Sequence, residues 1–122
     1  MARTFLESTL ASTLPSFTSE WEAHRRAYPL GSAPTDGDFL AALRAHVVSL
    51  LGNARVAETS RFFYALERLL SEADPILQNL LECDLVSALA IECHHAAIDA
   101  RRVEPYLGER TRGIWVSALK GR

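Results

Sequence analysis

RFFYALERLLSEADPILQNLL, residues 61–81, is the stretch on which the fold turns. Within it Phe62, Phe63, Leu66, Leu69 and Leu70 recur at steps of three and four, which gathers them on one stripe of a helix of 3.6 residues per turn. Arg61, Arg68 and Glu72, with Glu58 just upstream, fall outside that stripe, so the spacing predicts an amphipathic helix over about 54–73. Asp74-Pro75 then predicts a fresh helix start. An aspartate there accepts from free first-turn amides, and a proline at the first helical position gives up no bond.

Downstream, Ile76, Leu77, Leu80 and Leu81 follow, and Leu85, Val86, Leu89, Ala90 and Ile91 leave so little polar face that this segment is expected to be the central, most buried helix. The spacing leaves open whether that helix runs through Cys83-Asp84 or restarts with Asp84 as a cap. After His94-His95 the pattern fades over residues 96–105, and a last helix from about Gly108 to Leu119 turns Ile114, Trp115 and Leu119 inward. Upstream, Thr35 or Asp36 is expected to cap a helix in which Phe39, Leu40, Leu43, Val47, Leu50 and Leu51 share a stripe. Gly52-Asn53 is expected to end it, with Arg44 and Ser49 on its opposite face. Residues 28–34, with two prolines and a glycine, predict a loop. Before it come a helix with Phe17, Trp21 and Tyr28 inward and a first helix opened by the capping-box pair Thr4 and Glu7 and stopped before Pro15. No segment has the alternation of a strand. The expectation is an all-α fold, a single irregular bundle of six to seven helices over residues 1–122, whose short helix pairs could stack in a HEAT-like manner.

Length and composition agree. A chain of 122 residues makes one domain of ordinary size, and such a domain buries roughly 65% of the surface its unfolded chain exposes, enough to fold without metal or disulfide staples. Hydrophobic residues at 48% and charged residues at 23% exclude wholesale disorder. Two cysteines, Cys83 and Cys93, are far too few for a disulfide-stapled secreted domain and imply a reduced, cytoplasmic chain. Met1 to Leu14 lacks the apolar core of a signal peptide, and no run of 18 apolar residues suggests a membrane span.

Soft metal ligands cluster only at Cys83 and Cys93-His94-His95, and on a helix positions 94 and 95 point about 100° apart, which fits no zinc template. Glu92 and His95 have the carboxylate–histidine spacing of di-iron bundles, but those need a second such pair and two more carboxylates. The chain has no glycine-flanked serine elbow and no phosphate-cradling glycine loop, and His24 and His46 read as surface or boundary residues. The expectation is a protein that is not an enzyme, with no cofactor, no metal and no catalytic residue.

Charge is polarised along the chain. Residues 67–99 hold seven acids against Arg68 alone, while residues 101–122 hold six bases against Glu104 and Glu109. A strongly acidic segment argues against nucleic acid as a partner and for steering a basic protein onto that half. Glu67 stands apart, because helical steps set it beside Phe63 and Leu70 at the edge of the apolar stripe. A carboxylate there needs a partner, either within the fold or on another molecule.

The 61–81 stretch, an apolar helix after it, and YLGERTRGIW at 106–115 together resemble a family of small, uncharacterised bacterial all-α proteins that look like immunity proteins of polymorphic and contact-dependent toxin systems. The resemblance covers about Asp38 to Lys120 and rests on Phe63, Glu67, Ala73, Asp74, Asn79, Leu107, Gly108 and Trp115. Glu109 stands where such proteins have a proline, and Ser87 where an acid is common. What the resemblance implies is an inhibitor of a cognate toxin domain, whose acidic face, formed by Glu67, Glu72, Asp74, Glu82 and Asp84, covers the active site of a basic nuclease. It implies neither nucleic-acid nor membrane binding. A non-catalytic helical adaptor for a protein or peptide, and a metal- or ligand-binding bundle, are the alternatives the residues leave open.

Overall fold

A computed structural model describes residues 9–26 and 36–120. Among them the chain is helical throughout, without a strand. After a 3-10 turn at Ala11–Thr13 come α1 (Pro15–Arg26), α2 (Asp36–Gly52) and α3 (Val56–Glu72). Then α4 (Pro75–Leu80) passes into a π-helical segment (Leu81–Ser87) and on into α5 (Ala88–His95). A short α6 (Ala100–Val103), a 3-10 turn (Glu104–Tyr106) and α7 (Glu109–Leu119) complete it. The expected all-α bundle is what forms. The start of the first helix at Thr4, Tyr28, the 28–34 loop and Thr35 lie outside the described residues.

The core is the set of stripes that periodicity picked out. Phe62, Phe63, Leu66, Leu69 and Leu70 of α3 meet Phe39, Leu40, Leu43, Val47, Leu50 and Leu51 of α2, with Phe17 and Trp21 of α1 at one end and Trp115 of α7 at the other. Leu85 and Val86 of the π segment and Leu89 and Ala90 of α5 are buried, so this run is indeed the inner helix, while Ile91 is only half-buried. Each full burial of such a side chain stabilises the fold by about 1.5–3 kcal/mol. Aromatic edges lock the ends: Phe63 meets Trp115 edge-on at 6.2 Å and stacks on Tyr106 at 6.1 Å, and Trp21 meets Phe39 edge-on at 5.2 Å.

At four places the structure adds to or corrects the local reading. Through Cys83-Asp84, where the spacing left both courses open, the helix continues without a restart but widens into π geometry, and the Asp84 carbonyl accepts from Arg44 Nη1 at 2.7 Å. Arg44, outside the apolar stripe as expected, is nevertheless largely covered, since its Nε also pairs with Glu92 at 2.7 Å. Glu58, placed outside the stripe by periodicity, is only 7% exposed because a neighbouring helix end draws it in. Residues 96–105, where the pattern fades, contain α6, opened by Asp99, which accepts from the Arg101 amide at 2.9 Å.

Two helix ends share a design. After α2, Ala54 takes φ 56°, with its amide on the Leu51 carbonyl and that of Arg55 on the Leu50 carbonyl; after α5, Ala97 takes φ 59°, with its amide on the His94 carbonyl and that of Ile98 on the Cys93 carbonyl. Both are Schellman ends with alanine at the left-handed position that usually takes glycine. For α2 that position lies two residues beyond Gly52, where the sequence signal pointed.

Candidate functional site

Helices α1 and α7 each start with a residue that cannot cap. Leu14 precedes α1 and is apolar, and Gly108 precedes α7 and has no side chain. Both caps are supplied by α3. Glu67 Oε2 accepts from the Arg110 amide at 3.0 Å, and Oε1 accepts from the Thr111 amide at 3.0 Å and the Thr111 hydroxyl at 2.7 Å. Those amides are the second and third of α7, the ones a side chain at the N-cap would satisfy. A Cβ on Gly108 would stand within 2.7 Å of Glu67 Cδ and Cγ, so glycine is required there by close approach and not by its extended backbone. Burial alone would raise the Glu67 carboxyl, but the donors from Thr111 and Arg110 outweigh it and hold it below the usual glutamate range.

At the other end of α3, Glu58 Oε1 accepts from the Ser16 amide at 3.0 Å and Oε2 from the Ser16 hydroxyl at 2.8 Å, with Arg55 at 3.6 Å. The Ser16 amide is the largest cause of a carboxyl held below its ordinary value, against the opposing effect of burial. Ser16 Oγ also lies 2.8 Å from His46 Nε2, and His46 Nδ1 lies 2.7 Å from Glu20 Oε2. A carboxylate, an imidazole and a hydroxyl in series have the outline of an activated nucleophile. Glu58 defeats that use: it takes both the hydroxyl proton and the Ser16 amide, and it sets a negative charge where an oxyanion would need donors.

The residues expected to face a partner divide. Glu67 serves the α7 cap. Glu72 is exposed and pairs loosely with Arg68 at 3.8 Å. Asp74 is exposed and caps α4, its Oδ1 accepting from the Leu77 amide at 2.8 Å. Glu82, half-buried, and Asp84, exposed, flank the exposed Cys83 on the π segment, and neither carboxylate meets a base among the described residues. The remaining acids of the run are paired, Glu92 with Arg44 and Asp99 with Arg101 at 3.3 Å. Ile76, two residues after Asp74, is 85% exposed. Much of the acidity of residues 67–99 is thus spent inside the fold, and the acids left without bases concentrate on the π segment.

Cys93 is buried in the core and its thiol is pushed up to about 12, by desolvation first and by Glu92 second. His94 and His95 are both exposed, with rings 6.1 Å apart. No group of three or more His, Cys, Asp or Glu able to hold a metal occurs among the described residues, and no helix among them is long and apolar enough to cross a membrane. The residues that sequence reasoning missed are Ser16, Glu20, Arg44, His46 and Glu58. The available signal was indirect: Leu14 and Gly108 cannot cap, so an acid from elsewhere had to.

No curated protein and no solved structure matches the chain. One family profile does, over residues 8–121, and the buried α3 stripe, the Glu67–Gly108 contact and Trp115 all lie within that span, so the chain belongs to the family described as Domain of unknown function (DUF7674).

Proposed function

We propose that this chain is an immunity protein of a bacterial contact-dependent growth-inhibition system. It binds a cognate antibacterial toxin domain, a basic nuclease, in the cytoplasm and neutralises it by covering the active site with acids. The observation that carries this reading is the pair Glu82 and Asp84, two carboxylates without a base among the described residues, on a π-helical segment of a kind that is rare and often functional. Asp74 and Glu72 are two more exposed acids just upstream, and Ile76, two residues after Asp74, is an exposed apolar side chain. Glu67 fixes α7 against α3. Such inhibition requires no catalytic residue and no cofactor, only an interface of roughly 1,200–2,000 Å² with acids set where phosphates would bind.

The test is growth of a bacterial host expressing the toxin-like domain encoded beside this gene, with and without this protein, alongside co-purification. Rescue with a stable complex is the expected result. Glu82→Lys with Asp84→Lys should weaken the complex most at low salt and flatten its salt dependence. Absence of both rescue and complex overturns the reading for that pair. Unchanged affinity of the double variant removes the assignment of the face.

A groove of about 450 Å³, lined by Leu107, Trp115, Val116 and Leu119 and rimmed by Arg112 and Lys120, favours a second reading, a non-catalytic adaptor that takes a peptide. Absence of rescue, together with capture of a peptide that is lost on Val116→Glu, would favour it.

A further inference from the structure

Three short contacts run in series across the junction of α1, α2 and α3: Glu20 Oε2 to His46 Nδ1 at 2.7 Å, His46 Nε2 to Ser16 Oγ at 2.8 Å, and Ser16 Oγ to Glu58 Oε2 at 2.8 Å. Each needs one proton between its heavy atoms. Ionised carboxylates only accept, so the Ser16 hydroxyl proton goes to Glu58 and the Ser16 oxygen must accept from the imidazole. Nδ1 must then donate to Glu20. A neutral imidazole has one proton for these two donations, and three contacts therefore close only when both ring nitrogens carry one.

We propose that this junction is a proton-operated clasp on α1: with both nitrogens of His46 protonated it ties the first turn of α1 to α2 and α3, and when the ring loses a proton one contact fails and that turn loosens. Among the described residues, the charged groups linked to the ring are Glu20 from α1 and Glu58 of α3 through Ser16, with Arg55 on the far side of Glu58 at 3.6 Å. Phe17 lies against the ring, centroids 5.3 Å apart, and the His46 side chain is only 10% exposed, while Glu20 and His46 both line an open cleft of about 530 Å³. With one proton gone, either the Nδ1 lone pair faces the Glu20 carboxylate or the Ser16 hydroxyl turns from Glu58 to Nε2. The second choice removes a donor from the α1 cap.

The clasp is tested on the whole protein by hydrogen exchange of the Ser16 amide, corrected for intrinsic rate, with the protonation of the imidazole nitrogens followed by NMR over the same pH series. Ser16 protection is expected to fall about tenfold as the ring loses its second proton, the worth of one charge-assisted hydrogen bond. Glu20→Gln at an exposed position should remove this dependence, because its amide can donate to Nδ1 and all three contacts then close on a neutral ring. Trp21 emission in a Trp115→Phe background reports the same event on α1, shifting to the red in the parent and not in Glu20→Gln. Protection that stays constant while His46 loses its proton overturns the proposal. So does an undiminished pH dependence in Glu20→Gln.

Discussion

Glu58 and Glu67 stand nine residues apart on α3 and point to opposite sides of it, and each closes the first turn of a different helix. Nine residues are two and a half turns and about 13 Å of rise, so one carboxylate reaches α1 and the other α7. α3 is thereby fixed at two points, and the apolar stripe between them is held in register with the helices on both sides.

Glu67→Ala should cost about 2 kcal/mol in urea unfolding, because the Thr111 amide and hydroxyl are buried and lose an ionised acceptor. Gly108→Ala should cost a similar amount by pushing that carboxylate off its donors. The two are expected to be strongly non-additive, with Gly108→Ala nearly harmless once Glu67 is alanine. Additive effects would show that the glycine matters for another reason.

Both caps make stability depend on acid. Glu58 and Glu67 have native values below the ordinary glutamate value of 4.5, so their contribution is complete above that value and is lost as pH falls through the lowered ones. Unfolding free energy should decline steeply below about pH 4.5, and Glu58→Gln or Glu67→Gln should make that decline shallower while lowering stability at neutral pH. An unchanged acid slope in both variants would mean that the carboxylates are not the groups titrating.

Arg44 holds the π segment through the Asp84 carbonyl and Glu92. Arg44→Met keeps much of its stem but leaves Glu92 without its base, and a loss of about 1–3 kcal/mol is expected. Amide exchange should rise first over residues 81–87. Protection lost elsewhere and kept there would contradict this role.

Thiol chemistry should separate the two cysteines. Cys83 is exposed, while Cys93 is buried with its thiol raised to about 12, so one thiol should react with an alkylating reagent in the native protein and two after unfolding.

The apolar stripes were legible because they are periodic: the buried faces of α2 and α3, the inner position of the 85–90 run and the Asp74 cap all follow from spacing or from one residue's chemistry. What the sequence hid was long-range. Ser16 and Glu58 are 42 positions apart and Glu67 and Thr111 are 44, and no local rule joins them. Glu58 looked solvated because its helix offers it only Arg55 at the helix start; the demand for a buried carboxylate came from α1. The π segment was invisible for the same reason, since the Arg44 that binds the Asp84 carbonyl lies 40 positions upstream. Charge counting along 67–99 marked an acidic region but could not show that Glu67, Glu92 and Asp99 are taken up within the fold.

The left-handed alanines leave the protein below its own stability optimum. Ala54 and Ala97 each hold a methyl group in a conformation that disfavours it, so Ala54→Gly and Ala97→Gly, which only remove atoms, should each raise the unfolding midpoint by the equivalent of about 1 kcal/mol. A chain that gains from losing a methyl group at two helix ends has headroom to accept costly substitutions elsewhere, and the pair of glycines is a ready background in which surface variants can be compared without unfolding the bundle.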